Sequence, residues 1–259
     1  MGVKDTPTAV DVHSRQAGQF AASYDELEWD PYASCFTYSR MRLEQALKRY
    51  LPPVGAGIRA LDVGCGTGHY LKDLVSRGCD AVGVDASAQM LDEARRSSPT
   101  AELHQADVAS LPFADRSFDL ALCVEVLRYL PDPQPCMAEM ARVIRPGGMC
   151  LATAAPLFSI NGYPLVNRLV LLAPVGNFTR LKQYFTTPSK LRTQFQAAGF
   201  SAVEVHGVYT GPINWVERLA PRRLSPFLRR WEATDRRLAD RPSLRGLSNM
   251  LLVKASVPS

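Results

Sequence analysis

The chain of 259 residues lacks any long hydrophobic run. Its longest apolar stretch, residues 165–175, is interrupted by Arg168 and is far too short to span a bilayer. The opening residues MGVKDTPTAVDVHSRQ contain no apolar core, so no secretory signal is expected. Asp5 and Thr6 after Gly2 also make a poor myristoylation sequence. Cysteine is sparse: six residues (35, 65, 79, 123, 136, 150) with no C-x-x-C pair. Three of them, Cys65, Cys123 and Cys150, fall in or beside apolar runs, where the thiol serves as a small hydrophobe. This argues against a metal cluster and for a reduced, cytoplasmic location. Internal repeats and low-complexity tracts are absent. The net charge of +5 is modest and unevenly placed. Between Trp215 and Arg245 nine arginines face four carboxylates, which accounts for the whole excess. A nucleic-acid binder spreads its basic charge over a docking face, so no nucleic-acid partner is expected.

What the chain does have is a regular alternation. Residues 19–53 read as one or two helices, with Met41, Leu43, Leu47 and Leu51 on an apolar face and Pro52-Pro53 as the stop. From residue 58 apolar strands such as RALDVG, DAVGVDAS and FDLALCVEVL alternate with helical segments, up to the turn RPGG and the strand MCLATAA. That spacing predicts a parallel sheet covered on both faces. Beyond Ala155 the alternation fades into helical spacing, then returns as SAVEVHGV and a final buried run, NMLLVKAS. Residues 1–18 are polar and aperiodic and are expected to be a flexible tail. Residues 19–259 are expected to form a single domain with a ligand-binding core at 58–155. Cap or substrate segments are expected at 19–53, 156–186 and 209–247.

The stretch ALDVGCGTGHYL, residues 60–71, runs an apolar strand into Gly64, Gly66 and Gly68. A glycine turn opening onto a helix bares backbone amides and lets a polar ligand approach closely. The dinucleotide pattern G-x-G-x-x-G would place a glycine where this chain has His69. Asp62, two residues before the first glycine, would repel a pyrophosphate and favours a cationic group. Asp85 follows at the end of the second strand, where an acid accepts hydrogen bonds from ribose hydroxyls. Asp107 and Val108 sit where a third strand ends, suited to an adenine amine and ring face. The ligand so described has a ribose, an adenine and a zwitterionic tail.

Together LDVGCGTG, VGVDAS, QADVASLPFADRSFDLALCVEVLRYLPDP and RVIRPGGMCLAT resemble the class I methyltransferases that use S-adenosylmethionine, in their small-molecule group. The resemblance is dense over 58–155 and looser over FTTPSKLRTQFQAAGF. It implies a Rossmann-like seven-stranded sheet, mostly parallel with an antiparallel last strand, helices on both faces and helical cap insertions. It also implies that Gly64, Cys65, Gly66 and Gly68 line the methionine portion, with Asp62 near its amino group. Asp85 would bind the ribose, Ala86 and Met90 would lie near the adenine, and Asp107 and Val108 would meet its amine and ring. Cys123 and Glu125 would face the sulfonium end. Tyr24 would fold over the cofactor from the N-terminal helices, and His69 would lie beside it or cap the helix.

Methyl transfer needs alignment and exclusion of water, and a general base only when the acceptor must lose a proton. Candidates for that base are Glu125 and His206, the latter on the sixth strand. His13 falls in the expected tail and His104 in a strand. Some quinone-pathway and RNA-end relatives hold a divalent metal with E-x-x-E-H. This chain has Glu125, Arg128 and Tyr129 at those positions, and an arginine repels a cation, so no metal is expected. The expected reaction is methylation of a small or lipid-linked molecule, at a hydroxyl oxygen. Alternatives are a nitrogen or carbon acceptor, a nicotinamide-dependent oxidoreductase, or a cofactor-binding subunit without catalysis. Residues 215–245 form a basic amphipathic stretch suited either to peripheral membrane contact or to a solvated cap with pairs such as Glu232 and Arg236.

Overall fold

A computed structural model describes residues 8–51, 53–172 and 181–259. Seven strands form one sheet: β1 (Arg59–Val63), β2 (Asp80–Asp85), β3 (Glu102–Gln105), β4 (Phe118–Cys123), β5 (Ile144–Ala154), β6 (Ser201–Gly207) and β7 (Leu251–Ser256). Their spatial order is β3-β2-β1-β4-β5-β7-β6. The first five run parallel, while β7 is antiparallel to both β5 and β6, as expected for the last strand. Both faces of the sheet are buried, which is why its central strands are almost wholly apolar. Leu61, Ala121, Cys150 and Val253 point to one face, into a core with Met137 and Met140 of α5 (Gln134–Val143) and Phe195 of α7 (Pro188–Ala197). Leu120, Leu151 and Leu252 point to the other, against Leu43 of α2 (Cys35–Tyr50) and Leu71 of α3 (His69–Ser76). Chain order reverses between β1 and β4, so a crevice opens beyond the carboxyl ends of these strands, where α/β sheets bind ligands.

Residues 9–18, expected in a flexible tail, are instead the first half of a 21-residue helix, α1 (Ala9–Trp29). Thr8 and Asp11 cap it reciprocally. Asp11 N donates to Thr8 Oγ1 at 3.2 Å, and Thr8 N donates to Asp11 Oδ2 at 3.1 Å. Val12 and Ala17 are buried, and the Ser14 hydroxyl lies 2.7 Å from that of Ser87, just before α4 (Ala88–Ser97). Residues 1–7 of the expected tail and 173–180 of the second cap segment lie outside the described residues.

The third cap segment carries α8 (Ile213–Leu219) and α9 (Leu224–Leu238). The apolar side of this arginine-rich stretch faces inward: Leu224 and Leu228 pack with Ile213 on Tyr38 of α2. Glu232 and Arg236 pair on the surface at 3.3 Å. Beneath them Asp235 is fully buried and accepts from the Tyr38 hydroxyl at 2.7 Å and from Thr210 N at 2.6 Å. Arg42 Nε lies 3.2 Å away. Burial pushes the Asp235 carboxyl above its ordinary pKa, against the pull of Arg42 and these donors. Removing the acid takes away the carboxylate partner of Arg42 and strands three donors, the Tyr38 hydroxyl and the amide and hydroxyl of Thr210. Asp235→Ala is therefore expected to destabilise the fold by about 3–5 kcal/mol. Urea denaturation measures this, and a loss below about 1 kcal/mol would show that the cluster does not anchor the cap.

Candidate active site

The glycine turn lies at the mouth of the crevice. Gly64 and Gly66 have φ of 71° and 54°, in the region that disfavours side chains. A Cβ on Gly64 would stand 2.3 Å from Val126 Cγ2, so the β1 turn and the loop after β4 can touch only because a side chain is missing. Asp85, at the end of β2, ties the turn down. Its two oxygens accept from Gly66 N at 3.0 Å and Ser87 N at 2.8 Å. Burial raises its pKa, and those backbone donors oppose the rise.

The turn forms one wall of a cavity of about 410 Å³. Asp62, Gly64, Cys65, Gly66 and His69 line it from the β1 side, and Asp85, Ala86 and Met90 from β2 and α4. Asp107, Val108 and Glu125 line it from the loops after β3 and β4, and Tyr24 from α1. The sequence thus brings acids from three separate strand ends into one space. Asp107 lies two residues past β3, exposed, with Oδ1 held by Ala109 N at 2.9 Å. Tyr24 stacks on His69 with ring centroids 4.0 Å apart, and His69 Nε2 meets Glu44 Oε1 at 2.9 Å.

Two buried groups in this cavity have hydrogen-bonding capacity that nothing uses. Asp62 is 1 % exposed, and its Oδ2 has no partner among the described residues. Desolvation, then the nearby Asp85, pushes its carboxyl up to about 7. Arg40, on α2, is likewise buried, and its Nε and Nη1 have no hydrogen-bond acceptor among the described residues. Arg40 pairs with Glu125 through Nη2 alone. Buried donors and acceptors left unused are costly and rare, so the open Asp62 oxygen and the two open Arg40 nitrogens in one cavity point to a ligand. The fit is to a molecule carrying both an ammonium and a carboxylate. Arg40 was not apparent from sequence. Its only signal is a run of polar residues, Thr37, Ser39, Arg40 and Arg42, that all turn out buried on α2.

Comparison with known proteins agrees with this ligand. A family model described as a methyltransferase domain matches residues 61–152. Demethylmenaquinone methyltransferase of Staphylococcus carnosus is 33% identical over 180 residues, covering 62% of this chain and 74% of that one. The chain belongs to the class I methyltransferases that use S-adenosylmethionine. Ubiquinone biosynthesis O-methyltransferase of Alkalilimnicola ehrlichii is 29% identical over 224 residues, covering 80% and 86% of the two chains. Among solved structures, a Thermotoga maritima methyltransferase described as a possible histamine N-methyltransferase superposes with a TM-score of 0.65 at 19% identity. That match spans 95% of this chain and 98% of the other, and shows the shared fold. The nicotinamide-dependent and non-catalytic alternatives are thereby set aside.

In this methyltransferase three expected site residues lie away from the cavity lining. Strand alternation turns Cys123 into the core, beside Cys136 and Cys150, and the cavity is lined instead by the next residues, Val124 and Glu125. Gly68 begins α3, and a Cβ there would meet Ser97 Oγ at 2.7 Å and Ala94, so it serves the close approach of α3 to α4. His206 is buried on β6 against the end of α2. Its ring stacks on Tyr50 at 4.1 Å, and Nδ1 lies 3.0 Å from Asp240 Oδ1. This histidine joins sheet to cap and does not reach the cavity.

Glu125 does line the cavity, on left-handed backbone. Its φ is 61°, its N–H donates to Thr153 Oγ1 at 2.7 Å, and its carboxylate sits between Arg40 at 3.4 Å and Arg128. Burial opposes its ionisation, yet the two guanidiniums win and hold its pKa below the ordinary value. A doubly paired carboxylate is a weak proton acceptor. Arg128 also donates to Gln183 Oε1 at 2.6 Å and 2.9 Å, which ties the second cap segment to the cavity. Among the described residues no three His, Cys, Asp or Glu side chains form a metal-ligand group. No helix there is long and apolar enough to cross a membrane.

Proposed function

We propose that this methyltransferase moves the methyl of S-adenosylmethionine to a hydroxyl oxygen of a small, lipid-linked acceptor. One observation carries the donor half of the reading: Asp62 Oδ2 and the Nε and Nη1 of Arg40 are unused in one cavity, suited to the ammonium and the carboxylate of the methionine end. Asp85 then takes the ribose hydroxyls and Asp107 the adenine amine, with Ala86, Met90 and Val108 against the ring. Cys65 and the Gly64–Gly66 backbone line the methionine portion, and Tyr24 and His69 close over it. The sulfonium supplies an electrophilic methyl carbon. The chain's own task is to align the acceptor and exclude water, which α1 serves by lying along the cavity with Phe20 and Tyr24.

The acceptor half draws on the relatives named for menaquinone and ubiquinone chemistry, one of them an O-methyltransferase by name. A surface feature supports a lipid-linked molecule. Phe158, Ile160, Leu165 and Leu169 are exposed in the second cap segment, and Trp215 and Leu219 are exposed on α8. The Trp215 indole donates to Asn161 O at 2.9 Å, which joins the two segments, and Arg168 lies exposed among them. An apolar patch with cationic groups suits the interface where a lipid tail leaves a bilayer. Within 215–245, Trp215 and Leu219 are the residues such a contact would use, because Leu224 and Leu228 are buried.

Calorimetric titration with S-adenosylmethionine, NADH and the Asp85→Ala variant tests the donor half. The expected result is micromolar binding of the sulfonium ligand alone, weakened about 10- to 100-fold in the variant, the loss of one or two charge-assisted hydrogen bonds. Binding of NADH alone would sink the reading. Labelled methyl transfer to a prenylated catechol tests the acceptor half, and label appearing only on amine acceptors would replace oxygen with nitrogen.

A further inference from the structure

We propose that His13 is the general base that takes the acceptor's proton; the proposal rests on the O-methyltransferase reading above. His13 lies in the second turn of α1 and lines the same cavity as Asp62 and Glu125. Its ring meets Tyr129 edge-on at 4.8 Å and Phe20 at 5.2 Å, which fixes its plane without using its nitrogens. Among the described residues neither ring nitrogen has a hydrogen-bond partner. A half-buried imidazole in the cavity wall, held by aromatic edges and with both nitrogens unpartnered, is placed to exchange a proton.

Asp62, whose Oδ2 is open, is assigned to the donor's ammonium in the reading above, and Glu125, His69, Asp85 and Asp107 are committed as well. Glu125 is clamped by Arg40 and Arg128. His69 is bonded to Glu44. Asp85 holds the glycine turn, and Asp107 lies with Val108 beyond β3, at the adenine end of the proposed ligand. Burial drives the phenols of Tyr24 and Tyr70 above their ordinary pKa, and that of Tyr129 up to about 12, so none is a phenolate base. His13 differs. Burial and then Arg128 lower its pKa while Glu125 opposes them, so the imidazole is neutral at physiological pH and its protonated form has a carboxylate near it.

A His13 ring nitrogen accepts the acceptor's hydroxyl proton as that oxygen's electron pair forms a bond to the methyl carbon. The carbon–sulfur bond breaks with its pair on sulfur, leaving the neutral thioether and the methyl ether. The imidazolium, whose charge faces Glu125, then gives its proton to solvent. The positive charge of the donor thus passes to His13 and out of the site.

The test uses the full chain, with His13→Asn and His13→Gln beside wild type and catechol and prenylated catechol as probes. Binding of S-adenosylhomocysteine, followed by calorimetry, reports folding and the donor site and is expected to change less than about threefold. At saturating donor, kcat should fall about 10²- to 10⁴-fold in both variants. In wild type kcat should decline toward acid pH, with a midpoint below the ordinary imidazole value because burial lowers the His13 pKa, and this limb should be missing from the variants. Imidazole in the buffer should restore part of the rate to His13→Ala. A kcat within threefold of wild type, or an unchanged acid limb in the variants, would overturn the assignment. Wild-type protein that binds the donor product yet methylates no hydroxyl would overturn the oxygen reading itself, and the proposal with it.

Discussion

Asp62→Asn is expected to make the ligand-free enzyme more stable and to weaken its grip on S-adenosylmethionine. The carboxyl is buried, its Oδ2 is unpartnered, and its pKa in the fold is raised from 3.8 to about 7. A raised carboxyl binds more protons folded than unfolded. Its contribution to stability is therefore greatest at low pH and declines as pH rises from 3.8 to about 7. The amide has the same shape and no charge to desolvate. Ligand-free Tm at pH 8 should rise by about 2–4 °C for each kcal/mol so regained. The fall of Tm with pH over that window should flatten. Binding should respond in the opposite sense. An ammonium on Asp62 favours the ionised form, so wild-type affinity should decline as pH drops below about 7, with proton release on binding near neutrality. The variant should bind about 10- to 100-fold more weakly and with little pH dependence from this group. Thermal scans with and without S-adenosylhomocysteine, repeated across pH, separate the two effects. A variant that is both less stable and unchanged in affinity would remove Asp62 from the ligand site.

Gly64→Ala should be more damaging than its single methyl suggests. The residue sits at φ 71°, where a Cβ costs about 1–2 kcal/mol. The new carbon would also stand 2.3 Å from Val126 Cγ2. Overpacking of this kind costs a further 1–3 kcal/mol, roughly, and here relief means parting the β1 turn from the loop that carries Glu125. Both walls line the cavity, so donor affinity should fall more than about tenfold together with Tm. Adding Val126→Ala removes the clash and leaves the backbone strain, so the double variant should recover part of the stability. Equal stability of Gly64→Ala and wild type would mean that the turn can move aside freely, and the close approach would not matter.

The sheet was legible because its causes are local. Parallel strands buried on both faces must be apolar along their length, and a tight turn from β1 into α3 needs glycine whatever surrounds it. The acids at 62, 85 and 107 could be placed for the same reason, since a strand end in this topology always opens on the same crevice. Even the start of α1 had a local signal. Thr8 and Asp11 have the spacing of a capping box, within a stretch whose polar composition gives no apolar period.

The charge pairing around Glu125 was decided by tertiary structure. Arg40 meets Glu125 across 85 residues, and together with Arg128 it turns a plausible base into a fixed anion. His13 enters the cavity only because α1 folds back over the sheet, fastened where Ser14 meets Ser87. His206, on a strand that promised access, is drawn instead to Tyr50 and Asp240. Helical period and strand alternation state which face of an element is apolar, but not which distant element will cover it. The sequence therefore determined the sheet and the donor turn, whose requirements are met within a few residues. Which charges face each other, and hence which group is left free to take a proton, depends on packing between segments far apart in the chain, and only the folded structure decided it.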